Sequence, residues 1–255
     1  MIELKSPSQL DLMRQAGGIV GEILETLRGA VRPGMTTLDL DRMALEIMLK
    51  RGSKPAFKGY RGFPAHICTS VNEEVVHGIP SKRKLEQGDI VGIDVGVIVE
   101  GYYGDGAVTA AVGSISPEAA DLMRVTERSL MEGIGMATPE HRLSDISNAV
   151  QRTVEAGGYS VVREFVGHGI GTQLHELPQI PNYGKPGFGP KLKPGMVLAI
   201  EPMVNQGAPE IRILEDGWTA VTKDGKLAAH FEHTVAVTEG APEILTLCPK
   251  KKLSR

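Results

Sequence analysis

The chain writes one pattern twice. "KLEQGDIVGIDVGV", residues 84–97, aligns without a gap to "KLKPGMVLAIEPMV", residues 191–204, so that Lys84, Leu85, Gly88, Ile93 and Val97 recur as Lys191, Leu192, Gly195, Ile200 and Val204. Weaker echoes keep the same order in both halves. "DLMR" stands at 11–14 and again at 121–124, "RPGMTTL" resembles "ATPEHRL" at 137–143, and "HGIP" at 77–80 matches "HELP" at 175–178. "YYGDGAVTAAV" resembles "HFEHTVAVTEG". Each match alone is weak, but their common order implies two copies of one supersecondary unit related by an approximate two-fold axis.

The unit itself is readable. Leu12, Ile19, Ile23, Leu24 and Leu27 recur at helical spacing and predict a helix over 8–30. A second amphipathic helix starts at Thr37 and is ended by Gly52, and two more are predicted over 117–136 and 143–156. "IVGIDVGVIVEGYYGDGAVTAAVG" reads as two strands joined by a Glu-Gly turn. From Val161 onward the chain reads mostly as strands, with Gly/Pro loops at 181–195 and 205–209. The expectation is an α+β fold of two helix–helix–strand halves, roughly 8–112 and 118–240, within a single catalytic domain, 1–255.

Composition narrows the function classes. With 255 residues, 41% of them hydrophobic, the chain can bury a sizeable core. A net charge of -3 argues against a general nucleic-acid surface, and the basic cluster "PKKKLSR", 249–255, reads as a solvated end. The N-terminus lacks the apolar core of a signal peptide, and the longest apolar run, "IVGIDVGVIV", is too short to span a bilayer and carries an Asp. Cys68 and Cys248 make no disulfide framework. A cytoplasmic protein is expected.

The duplication also superposes acids: Asp94 on Glu201 and Asp105 on Glu232, each in an apolar strand-like run. Alternation puts Val91, Ile93, Val95 and Val97 on one face of the first strand and Asp94 on the other, between Gly92 and Gly96, with room above it. One such acid is ordinarily a solvent-facing side chain. Four at related positions would be gathered by a two-fold, and carboxylates gathered in an apolar setting cannot stay ionised without cations. Two divalent ions balance the four charges. His168 then becomes a fifth ligand, delivered by the flexible "GHGIG". Oxygen-rich ligation with one His and no Cys argues for Mn, Fe(II), Co or Zn in a non-structural site. Such ion pairs make hydrolytic centres, in which a water's pKa falls from about 15.7 towards about 7.

His168 has a neighbour, His175, seven residues on in "EFVGHGIGTQLHELPQIPNYG". A helix would put both on one face but is disfavoured by the glycines, and a regular strand would put them on opposite faces. Taken with "VNEEVVHGIP", "GDIVGIDV", "YGDGA", "LAIEPM", "DGWTAVTKDG" and "FEHTVAVT", this stretch resembles the type I methionine aminopeptidases of the pita-bread (creatinase/aminopeptidase) fold, in their short bacterial form, over nearly the whole chain. The resemblance implies a central antiparallel sheet and places the family's metal ligands on Asp94, Asp105, His168, Glu201 and Glu232. It implies Glu201 as general base, His175 on the reacting carbonyl and His77 on the scissile amide nitrogen. It places the methionine pocket at Tyr60, Phe63, Cys68, His77 and Trp218. Alone, His77 and His175 would read as hydrogen-bonded core histidines, Cys68 as a small buried hydrophobe and Trp218 as a core or turn aromatic.

The sequence departs from the family's commonest pattern at Gly92 (usually Asn), Gly96 (usually Thr), Gly106 and Ala107 (usually Thr-Ser) and Leu174 (often Phe), which touches tuning more than reaction type. The implied function is removal of N-terminal methionine from nascent or new proteins with a small second residue, by a monomer with two divalent ions and transient ribosome contact through the basic tail. The alternatives are a proline-directed peptidase without the large N-terminal domain such enzymes carry, and a non-catalytic peptide-binding module.

Overall fold

The computed structural model describes residues 2–248, so the basic cluster at 249–255, with the ribosome contact expected of it, lies outside the described residues. The first half runs α1 (Pro7–Ala30), α2 (Thr37–Lys50), β1 (Lys54–Pro55), β2 (Cys68–Val71), β3 (Glu74–Val76), β4 (Ile90–Val99) and β5 (Tyr102–Ala111). The second runs α3 (Pro117–Gly135), α4 (Leu143–Ala156), β6 (Ser160–Val161), β7 (Gly167–Gly169), β8 (Glu176–Ile180), β9 (Val197–Ile200), β10 (Met203–Asn205), β11 (Ile211–Ile213), β12 (Ala220–Thr222), β13 (Ala228–His230), β14 (Glu232–Ala236) and β15 (Glu243–Ile244).

The helices start where their chemistry says. Ser6 and Ser116 each cap a backbone N–H three residues on and are each followed by proline at the first helical position. Thr36 and Asp39 exchange bonds at the start of α2, and Asp145 accepts from the Arg142 N–H at the start of α4. The entrances to α2 and α4 are also tied to the sheet region alike: Thr36 bridges Lys84 and Arg142 bridges Lys191, the two lysines aligned in the sequence.

The main sheet is antiparallel throughout, in the order β1-β4-β5-β14-β9-β7-β8, with β2 on β4 and β15 on β14. Val91, Ile93, Val95 and Val97 are fully buried and pack with α1 and α2, each contributing about 1.5–3 kcal/mol of transfer free energy. Asp94 therefore faces away from the helices, as does Asp105, because its neighbour Gly106 looks onto Val20 and Leu24 of α1. The halves meet at β5 and β14, where only Glu232↔Ala107 and His233↔Gly106 are in register. Two threonines extend the seam. Thr234 Oγ1 accepts from the Asp105 N–H (3.1 Å) and donates to its carbonyl (2.7 Å). Thr109 Oγ1 does the same for His230, at 3.0 and 2.8 Å. Among the described residues no helix is long and apolar enough to cross a membrane.

Candidate metal centre

The seam opens into a cavity of about 550 Å³ that gathers Tyr60, Phe63, Cys68, His77, Asp94, Asp105, His168, Leu174, His175, Glu201, Trp218 and Glu232. Asp94 and Asp105 come from β4 and β5, Glu232 opens β14, and Glu201 follows β9, its carbonyl held by Asn182 Nδ2 at 3.0 Å. His168 sits in the middle of the three-residue β7. A Cβ on Gly167 would strike the Ala199 carbonyl and one on Gly169 the Leu177 carbonyl, so these glycines are what let β7 lie this close between β9 and β8.

The imidazole of His168 is oriented for ligation. Its Nδ1–H donates to the Gly169 carbonyl at 2.9 Å, which leaves the Nε2 lone pair facing the acids. Nε2 lies 3.4 Å from Glu201 Oε1 and 3.9 Å from Asp105 Oδ2. Two atoms each about 2.1 Å from one ion stand about 3–3.5 Å apart. Ligand atoms of Asp105, His168 and Glu232 all lie within 4.8 Å of one another.

These groups are poorly satisfied by the protein alone. Asp94 Oδ1, Asp105 Oδ1 and Glu232 Oε1 are buried with no hydrogen-bond partner among the described residues. Burial pushes Asp105 up to about 7. Burial first, then the neighbouring acids, raises Asp94, Glu201 and Glu232 above the usual carboxylate range. Burial lowers His168 to about 3, with His175 adding to the effect, so the ring is neutral. Orphaned carboxylate oxygens beside a neutral imidazole fit divalent cations better than any protein partner in reach.

His175 answers the spacing puzzle. β7 and β8 form a tight antiparallel pair with an irregular register, and the chain reverses between them. The rings of His168 and His175 therefore meet, centroids 4.3 Å apart, on one site. The reversal is fastened by Glu176, whose carboxylate accepts from the Thr172 N–H (2.7 Å), the Gln173 N–H (3.2 Å) and buried Lys5 Nζ (2.8 Å). His175 stands exposed at the rim, and its Nδ1 pairs with the Tyr60 hydroxyl at 2.8 Å. His77 lines the cavity from a left-handed backbone (φ 61), edge-on to Phe165 and Trp218. Burial, then His175, lowers it to about 4.

Phe63 packs edge-on against Trp218 at 5.1 Å, with Tyr60, Cys68 and Leu174 in the same apolar cluster. Burial raises the Cys68 thiol well above its ordinary range, with Asp94 adding to it, so it is a wall and not a nucleophile. Asp94 has the room expected above it, since it lines the cavity, but the two glycines beside it differ. The space above Gly96 is filled: a Cβ there would lie 2.5 Å from Cε1 of Phe57. Gly92 does leave ordinary room, its nearest neighbour being the Ser70 carbonyl at 3.5 Å. Phe57 lines the cavity and was missed because its contact with Gly96 is made across thirty-nine positions with no periodic signal. His230 was also missed: its Nε2 is buried with no hydrogen-bond partner among the described residues, 4.0 Å from Glu201 Oε2. The doubled histidines of "HFEH" around Glu232 were the available signal.

The chain belongs to metallopeptidase family M24, whose model matches residues 11–239. It is therefore a hydrolase of peptide bonds. It is 57% identical to a methionine aminopeptidase of Clostridium perfringens, over 97% of this chain and 99% of that protein. It is 54% identical to methionine aminopeptidase 1 of Bacillus subtilis, over 96% and 99%. The crystal structure of methionine aminopeptidase from Thermotoga maritima superposes with a TM-score of 0.95 at 51% identity, covering 97% of this chain and all of that one. The pita-bread fold expected from the sequence is the fold observed.

Proposed function

We propose that this chain removes the N-terminal methionine from peptides and nascent chains whose second residue is small. The observation that carries the proposal is the set of orphaned buried carboxylates beside an apolar pocket walled by Phe63, Cys68 and Trp218. In this reading Asp94, Asp105, His168, Glu201 and Glu232 hold two divalent ions, drawn from Co, Mn, Fe(II) and Zn. When bound, the ions supply Lewis acidity for the scissile carbonyl and lower the pKa of a water.

The chain's own residues do the rest. The apolar walls, with Tyr60, seat the methionine side chain, which is long, unbranched and polarisable enough to thread a narrow slot beside aromatic rings. Glu201 takes the proton released as water adds and returns it to the departing amine. His175 donates a hydrogen bond to the carbonyl oxygen as charge builds on it, and His77 contacts the amide nitrogen. A bulky second residue would crowd His77 and the acids. Both halves work as a single catalytic unit, acting as a monomer in the cytoplasm.

The test is hydrolysis of Met-Ala-Ser, Met-Lys-Ser and Ala-Pro-Ala by the purified protein with Mn or Co added. Met-Ala-Ser should be the preferred substrate by a wide margin. Equal rates for the two Met peptides, or faster cleavage of Ala-Pro-Ala, overturns the proposal.

A further inference from the structure

The hydrogen bond between Tyr60 and His175 gives Tyr60 a second task. We propose that Tyr60 fixes the tautomer of His175, acting as a positioning residue for the hydrogen bond to the substrate carbonyl. The proposal rests on the reading of His175 given above.

A neutral imidazole carries one N–H, and only the nitrogen bearing it can donate. The Tyr60 hydroxyl lies 2.8 Å from His175 Nδ1, with the rings stacked at 5.3 Å and 29°. A phenol O–H is a stronger donor than an imidazole N–H, and an imidazole nitrogen is a stronger acceptor than a phenol oxygen. The bond therefore runs O–H to Nδ1 and leaves the proton of His175 on Nε2, the nitrogen not engaged by Tyr60. That is the form a donor to a developing oxyanion needs. With the opposite tautomer the free nitrogen would present a lone pair to the carbonyl oxygen and repel it.

Arg61 strengthens the arrangement. Its guanidinium lies 5.5 Å from the centroid of the Tyr60 ring, where its charge polarises the phenol and makes it a better donor. Arg61 holds this place from a left-handed backbone, φ 49, that side chains rarely adopt. Such strain persists where the surrounding structure over-determines a residue.

The experiment has two parts. Zinc-loaded wild-type protein labelled with ¹⁵N-histidine is read by two-bond ¹H–¹⁵N correlation, with the His175 signals assigned by their absence from His175→Ala. Nε2 should be protonated and Nδ1 bare. Kinetics on Met-Ala-Ser then compare wild type with Tyr60→Phe, which keeps the ring that walls the pocket. kcat should fall by about tenfold or more while KM stays within about threefold, the scale of losing a group that orients a site residue. Metal content should be unchanged, and the His175 nitrogens in the variant should show mixed protonation. A proton on Nδ1 in wild type overturns the proposal, and so does an unchanged kcat in Tyr60→Phe. If Tyr60→Phe does not fold, the wild-type spectrum decides alone. A wild type inactive on Met peptides defeats the functional reading instead, a result distinct from either.

Discussion

The two halves of the molecule supply the centre in different ways. The first gives Asp94 and Asp105 from one regular hairpin, ten residue pairs long, closed by Glu100 and Gly101 in left-handed conformations. The second gives Glu201 directly after the short strand β9, with Pro202 next to it, and Glu232 at the start of β14. It adds β7 and β8 beyond β9, and with them His168 and His175. The histidine of the first half, His77, comes instead from the loop between β3 and β4. The four acids fall at repeat-related positions on or beside the central strands, whereas His77 and His175, though aligned in the sequence, are carried by unlike elements, the β3–β4 loop and the turn before β8.

That contrast is open to attack. The largest effect should come from the symmetric part. Asp105→Asn and Glu232→Gln, one from each half, should each lose most bound metal and reduce Met-Ala-Ser hydrolysis to background. Metal analysis of the purified variants decides it, and two ions retained at wild-type affinity would refute the ligand assignment. The same variant carries a pH prediction. In the folded metal-free state Asp105 is raised from the ordinary carboxylate value to about 7. The folded state thus holds a proton that the unfolded state releases, so stability is lost as pH rises from about 4 to about 7. In chelator, Asp105→Asn should match wild type at pH 4 and melt higher at pH 8. With Mn added, wild type should be the more stable, because bound metal stabilises only the folded form.

The asymmetric part should respond less. His175→Ala should keep both ions and lower kcat by about 10²–10³, the cost of one lost oxyanion donor. Loss of metal in that variant would mean that His168 and His175 had been given each other's roles. Smaller again is Gly96→Thr, confined to the first half, where the new Cβ meets the Phe57 ring. It should cost about 1–3 kcal/mol as overpacking, read as a lower melting temperature; an unchanged melting temperature would show that the Phe57 ring gives way freely. Last comes Leu174→Phe. Leu174 is buried in the pocket cluster, and a larger ring there narrows the slot. Leu-Ala-Ser should lose about tenfold against Met-Ala-Ser, since a methylene in such a pocket is worth about 1–3 kcal/mol.

How much of this the sequence carried follows from range. The helix bounds were legible because caps and apolar spacing are local: Ser6, Thr36 and Ser116 sit where the periodic residues begin. The four acids were legible because duplication turns a long-range contact into a pattern that can be aligned. His168 was legible as a neutral donor on the glycine-rich "GHGIG" stretch. Phe57 on Gly96, His230 beside Glu201 and Lys5 beneath Glu176 join segments with no repeat between them. Lys5 and Glu176 lie 171 positions apart. Such contacts come from packing, and nothing in the spacing of either partner announces them.

The two threonines at the seam have a consequence for how the protein can change. Thr234, in the second half, holds the backbone of the first half's Asp105. Thr109, in the first half, holds the backbone of His230, two residues before the second half's Glu232. Each half is thus the jig in which the other's acid is set. A change that shifts one half is registered first as a misplaced acid of its counterpart. The two halves are in this way bound to vary together, and the fold can be tuned at its outer loops far more freely than along the line where they meet.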